Sequence, residues 1–320
     1  MRITNNMMVN SLLTNMQTNL TKMSQYTSQL SSNRKIVRLS DDPVGVYNAL
    51  TARQRLARYE QYQRNLVTAR SWAEQCETSL EEISSKMAAI QEEVINASTN
   101  VKTASDRENI AALMSELRDT VKDALNTTVG DQFIFAGYNT SEQPLTFASD
   151  GTTILYNGLD LSNISDAANL ASIQAESGQS LQLEVGYGLQ MDVTMTAMDV
   201  VGVGENNLFK ILNDTIDLMN SGQETSEVVD ALSGQLGKLS KAHNTITSSL
   251  VRAGAVSAQI DILDERYAED VINYTQIRSN IEDIDSAETI MDWKMAEAVY
   301  KQSLSAGARA ILPTLMDFLQ

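Results

Sequence analysis

Residues 59–97, YEQYQRNLVTARSWAEQCETSLEEISSKMAAIQEEVINA, decide the fold. Tyr59, Tyr62, Leu66, Ala69, Ala73, Cys76, Leu80, Ile83, Met87, Ile90, Val94 and Ala97 recur at alternating steps of three and four. That is the spacing of an apolar seam on a helix that packs against another helix. A matching seam lies far along the same chain, at Val229, Leu232, Leu236, Leu239, His243, Ile246, Leu250 and Ala253. After the polar Ser257 it resumes at Ile260 and continues through Tyr267, Val271, Tyr274 and Ile281. A helix over 43–99 would be roughly 85 Å long at about 1.5 Å per residue. Ser40-Asp41-Asp42-Pro43 marks its start, with acceptor side chains for the free N–H groups and a proline suited to the first turn.

Working outward, Ser105 and Glu108 have the spacing of a capping box and open a third helix through Ile110, Met114, Leu117 and Val121. A short helix runs from Leu208 to Met219. Between Gly130 and Gly204 lie nine of the 15 glycines and three of the five phenylalanines, so this stretch reads as a separate, β-rich insertion. Leu181, Leu183, Val185 and Tyr187 alternate, as do Met191, Val193 and Met195, with Gly186 and Gly188 around the turn: a hairpin. Phe133 to Phe135 and Ile154 to Tyr156 read as further short strands. The expected fold is mainly α, a long antiparallel helical rod or coiled-coil bundle built from both chain ends, with a small β-rich inserted domain. The expected division is 1–40 plus 281–320 as a terminal paired-helix domain, 41–129 plus 205–280 as a helical rod, and 130–204 as a β-rich outer domain.

The charge is uneven. The chain carries −17 overall, yet no acid precedes Asp41 and the first 40 residues hold five cations. Nineteen of residues 1–33 are Asn, Gln, Ser or Thr, a mixture that does not fold alone. Through it runs a thin apolar stripe of Val9, Leu13, Met16, Leu20, Met23, Thr27 and Leu30, answered at the other end by Leu304, Ala308, Ile311, Leu315 and Phe318. Residues 281–320 hold seven acids against three cations, so the two ends should pair with one another. The stripes are the expected subunit-assembly seam. The acidic balance argues against nucleic acid and against an anionic membrane surface as partners. No apolar run reaches the roughly 18 residues that would insert in a membrane, and the first residues lack the basic cluster and apolar core of a cleavable leader.

Catalytic chemistry has little to work with. His243 is the only histidine and Cys76 the only cysteine, and both fall on a seam, where packing is the expected role. Two such residues cannot make a zinc site. Gly202-Val203-Gly204 lacks the third glycine and the parallel β unit of a phosphate-binding fingerprint, so a linker is expected. Glu282, Asp283 and Asp285 lack the spacing of a calcium loop and read as a solvated acidic face. No enzyme activity, cofactor or metal is expected.

Two passages carry a family resemblance. Leu30-Ser31-Ser32-Asn33-Arg34-Lys35-Ile36 followed by Ser40-Asp41-Asp42-Pro43 resembles the N-terminal signature of the flagellin family, and Arg278-Ser279-Asn280-Ile281-Glu282-Asp283-Ile284-Asp285 resembles the start of its C-terminal region. Asp41-Asp42-Pro43 and Phe135-Ala136-Gly137 look more like the family's hook–filament junction branch than like major flagellin. Where the family commonly has Gly, Asn33 stands, a residue that tolerates a left-handed backbone. The resemblance implies a structural protein, secreted through the flagellar export apparatus with an export chaperone and located in the extracellular flagellum. There it would self-associate in a ring, with hook-associated protein 1 on the hook side and flagellin on the filament side, templating flagellin polymerisation. A short flagellin building the filament itself, or a generic coiled-coil scaffold, are the alternatives.

Overall fold

The seam of residues 59–97 lies on one helix, α2 (Pro43–Ala97), and its counterpart on another, α7 (Thr225–Glu282). The structure is a computed structural model that describes residues 5–99, 102–164, 167–176, 180–221 and 225–311. The remaining helices are α1 (Asn5–Ser32), α3 (Ala104–Leu125), α4 (Ala167–Glu176), α5 (Ala197–Val201), α6 (Leu208–Asn220) and α8 (Ser286–Ile311). The mainly α expectation is met, with long helices from both ends of the chain and small antiparallel sheets between them. The chain divides into two compact units, residues 61–267 and residues 1–60 with 268–320.

In the unit of 61–267, every seam residue of α2 from Leu66 to Ala97 is buried, and so are Leu232, Leu239, Ile246, Ala253, Ile260 and Tyr267 of α7. The helices run antiparallel, because Arg70 bonds Asp261 (2.9 Å) and Asp264 (3.2 Å) while Ser257 donates to Glu77 (3.3 Å). These edge contacts are partly exposed and contribute little beside the seam, where each fully buried aliphatic side chain is worth about 1.5–3 kcal/mol. Helix α3 packs on α6. Its cap differs from the sequence reading: Thr103 accepts from the Asp106 N–H (3.2 Å) and the Asp106 carboxylate accepts from the Thr103 N–H (2.9 Å), so the capping box begins two residues before Ser105.

The insertion is β-rich as read, in small pieces. β1 (Thr128–Val129) pairs with β2 (Gln132–Phe133), and β3 (Leu145–Phe147), β4 (Ile154–Tyr156) and β5 (Leu159–Asp160) make a three-stranded antiparallel sheet. Asn157 and Gly158 turn β4 into β5 with φ of 48° and 83°, a conformation open to Asn and Gly and strained for most residues. The Asp150 side chain closes the β3–β4 turn. Its carboxyl is held well below the usual range by the Thr153 hydroxyl (2.6 Å) and then by the N–H groups of Thr153 and Thr152. The expected hairpin is β6 (Gln182–Gly186) with β7 (Leu189–Asp192). It is fastened to both long helices: the Tyr267 hydroxyl donates to the Val185 carbonyl, and Asn65 Nδ2 to the Glu184 carbonyl at 2.6 Å. A Cβ on Gly186 would stand 2.8 Å from that hydroxyl, so the close approach requires glycine. Gly202 and Gly204, at φ of 75° and 66°, turn the chain from α5 toward α6, as a linker would.

Leu80→Ala, at a fully buried seam position, should cost about 2–5 kcal/mol in urea unfolding followed by far-ultraviolet circular dichroism. Val67→Ala, at an exposed neighbouring position of α2, should stay within about 0.5 kcal/mol of the parent.

Candidate functional site

The unit of residues 1–60 with 268–320 brings the two chain ends together. α1 packs on α8 in antiparallel fashion, since Asn19 Nδ2 donates to Ser303 Oγ (3.4 Å) and Trp293 Nε1 to Thr27 Oγ1 (2.9 Å). At Gly307 an added Cβ would lie 2.8 Å from Leu12 Cδ2, so the missing side chain lets the helices approach. Half-buried on α1 at alternating steps of three and four are Val9, Leu12, Met16, Asn19, Met23, Tyr26 and Leu30, joined near the end of the helix by Ser28 and Gln29. Thus Val9, Met16, Met23 and Leu30 of the sequence-read stripe belong to the face turned to α8, whereas Leu13 and Leu20 are 55% and 45% exposed. On α8, Leu304 and Ala308 are exposed, together with Met291, Met295 and Val299. The Ile311 side chain, and Leu315 and Phe318, lie outside the described residues.

The hydroxyls around Leu13 and Leu20 are bonded within their own helix. Thr14, Thr18, Thr21 and Ser28 each donate a hydroxyl to the carbonyl four residues back, at 2.9 Å. Hydroxyls bonded to their own helix lose less when water is removed than free ones. Charge is divided unevenly between the two units. Residues 1–60 and 268–320 together hold 12 cations and 12 acids, whereas residues 61–267 hold 12 cations and 29 acids. The unit with the uncovered apolar stripes is formally neutral, and the whole excess of negative charge belongs to the other.

Between α1 and α2 the chain turns at Asn33, whose φ of 55° is the left-handed conformation expected of it. The segment that follows lies against the α7–α8 corner: the Lys35 N–H donates to the Glu282 carbonyl (2.6 Å), and Arg34 and Asp283 form an isolated antiparallel bridge. Asp42 accepts from the Gly45 N–H (2.9 Å) and caps α2 ahead of Pro43, as expected. A Cβ at Gly45 would fall 2.3 Å from Asp42 Oδ2 and 2.9 Å from Ile36 Cδ1, so this first turn accepts only glycine without rearrangement.

The acids at the corner are not simply a solvated face. The Glu282 side chain is only 12% exposed and pairs with Arg53 (2.6 Å). Asp283 accepts from the Ser279 hydroxyl (2.6 Å), and Asp285 caps α8 by accepting from the N–H groups of Ala287 and Glu288 (2.9 and 3.2 Å). The role of Glu282 was hidden in the sequence because its Arg53 and Lys35 partners lie over 200 residues away, whereas the bonds of Asp283 and Asp285 are local.

The seam residues considered for chemistry occupy the unit of 61–267. His243 is half-buried, with Nε2 3.1 Å from Ser84 Oγ and Nδ1 3.3 Å from Gln91 Oε1, a bridge across the two helices. Cys76 is buried, and burial first, then the Glu77 carboxylate, pushes its thiol up to about 12. Among the described residues no three His, Cys, Asp or Glu side chains are grouped to hold a metal ion, and no helix is long and apolar enough to cross a membrane.

Comparison with known proteins gives the same picture. Residues 3–140 match the bacterial flagellin N-terminal helical region. The chain is 24% identical over 321 residues to flagellar hook-associated protein 3 of Escherichia coli K12, covering 96% of each. It is 23% identical over 316 residues to flagellar hook-associated protein 3 of Salmonella typhimurium LT2, covering 95% of each. The fold is similar to the crystal structure of flagellar hook associated protein-3 from Legionella pneumophila, with a TM-score of 0.60 at 12% identity, over 72% of this chain and 98% of that one. The resemblance to the flagellin family is borne out at the N-terminal end, and the likeness to hook-associated protein 3 runs nearly the whole chain.

Two outcomes follow for the seam. Iodoacetamide should leave Cys76 unmodified in folded protein at pH 8 and alkylate it within minutes in urea, as mass spectrometry would read, because a buried thiol is neither accessible nor ionised. His243→Ala should lower the unfolding free energy by about 0.5–1.5 kcal/mol, the worth of its hydrogen bonds, without abolishing assembly.

Proposed function

We propose that this chain is a structural protein of the bacterial flagellum that forms the junction between hook and filament and templates flagellin polymerisation. The observation that carries the reading is the pair of uncovered apolar stripes on a neutral unit, Leu13 and Leu20 on α1 and Met291, Met295 and Val299 on α8. A helix pair that leaves such faces bare is half of a larger packing arrangement, and further copies of the chain supply the rest. The length of the likeness to two hook-associated proteins 3 supports the same assignment. In this reading the terminal stripes, continued by Ile311, Leu315 and Phe318, are the assembly seam. The terminal helices form an inner layer, the helices of 41–129 and 205–280 a surrounding layer, and 130–204 the outward surface. Its neighbours are hook-associated protein 1 below and flagellin above, and delivery is by the export apparatus with a chaperone. The acidic surplus of residues 61–267 keeps chains apart in solution before the neutral surfaces engage.

Immunogold labelling of intact flagella should give one narrow band at the filament base. Label along the whole filament would assign the chain to the filament instead. Leu20→Asp should leave the unfolding of purified protein within about 0.5 kcal/mol of the parent, since the position is exposed in the single chain. In cells it should abolish filament growth, because an unpaired carboxylate buried between copies costs several kcal/mol, roughly 2–7 even for a neutral polar group. Normal swimming of the Leu20→Asp strain would remove Leu20 from the assembly seam.

A further inference from the structure

The loop after α1 and the corner between α7 and α8 lie side by side, joined by the Arg34–Asp283 bridge and the Lys35–Glu282 backbone bond. Yet their charged side chains do not pair with each other. Arg34, Lys35 and Arg38 are exposed and make no ion pair among the described residues, and neither do Asp283 and Glu288. Exposed apolar side chains accompany both sets, Val37 and Leu39 with the cations and Ile290 and Met291 with the acids. The imbalance extends to the halves of this unit: residues 1–60 hold eight cations and three acids, and residues 268–320 four cations and nine acids.

A surface with a basic and an acidic half around apolar side chains is complementary to itself. We propose that it is a docking surface for a second copy of this chain, in which Arg34, Lys35 and Arg38 of one copy face Asp283 and Glu288 of the next, with Val37, Leu39 and Met291 closing out water between them. The inference rests on the reading that copies of this chain assemble, and it adds which surfaces meet and why the register is unique. Slipping the contact sets like charges against each other, so the electrostatic pattern specifies alignment while the apolar side chains supply attraction.

The test uses full-length protein in two charge-reversed forms, Arg34→Glu with Arg38→Glu, and Asp283→Lys with Glu288→Lys. Self-association is measured by sedimentation velocity over a concentration series, for each form alone and for a 1:1 mixture. Each form alone should associate at least about tenfold more weakly than the parent, and the mixture should return to within about threefold of it. Parental association should also weaken as salt is raised. The proposal is overturned if either form associates like the parent, or if both fail and the mixture does not recover while circular dichroism shows intact helices. If a reversal disturbs folding, Arg34→Gln with Arg38→Gln takes its place; it must show an intermediate loss, and parental association by that variant overturns the proposal equally. Loss of filament growth with unchanged self-association overturns it too, and would mean that the basic loop serves an acidic surface of a different protein. Purified association and flagellar location are separate readouts. Label along the filament would remove the junction reading and leave this contact standing, whereas parental association of the variants would do the reverse.

Discussion

Neither long helix can satisfy its own apolar seam. From Leu66 to Ala97 the side chains along one line of α2 are almost wholly out of water, and α7 supplies the opposite wall. A lone helix of that composition would expose the line and lose the term that offsets the entropy of ordering it. What lies between the helices in sequence depends on this pairing. Strands of two to five residues do not persist alone. The longest of them are anchored where the seam ends, by the Tyr267 hydroxyl on Val185 and by Asn65 on Glu184.

Periodic features were readable and partner-dependent ones were not. The two seams, the Asp-Pro start of α2, the left-handed turn at Asn33 and the β6–β7 hairpin all announce themselves locally, through spacing or through a residue with one conformational advantage. The cap of α3 was misplaced because Thr103…Asp106 and Ser105…Glu108 offer the same spacing two residues apart, and only the backbone geometry separates them. Helix α4 carries no such local signal, because AANLASIQAE has little apolar periodicity. For the terminal stripe the period was legible but the rotation was not. Leu12 and Leu13 are equally apolar, and only the presence of α8 shows that Leu12 meets Gly307 while Leu13 stays bare. Glu282 was opaque for the same reason, since it is defined by Arg53 and by the backbone of Lys35.

Charge is divided unevenly between the two units. Residues 1–60 with 268–320 are neutral in sum and residues 61–267 carry the excess acid, while both leave some large apolar side chains exposed, Leu13 and Met291 in the first and Val67 and Val251 in the second. Net repulsion is therefore small between neutral units and larger between acidic ones.

The uncovered face of α8 is supplied in large part by sulfur. Met291 and Met295 each have three rotatable bonds and a polarisable thioether, and neither is branched. Branched aliphatic side chains would fit one neighbouring shape well and others poorly. A thioether surface re-forms around what is set against it, so this face adapts by side-chain rotation without a change in its backbone.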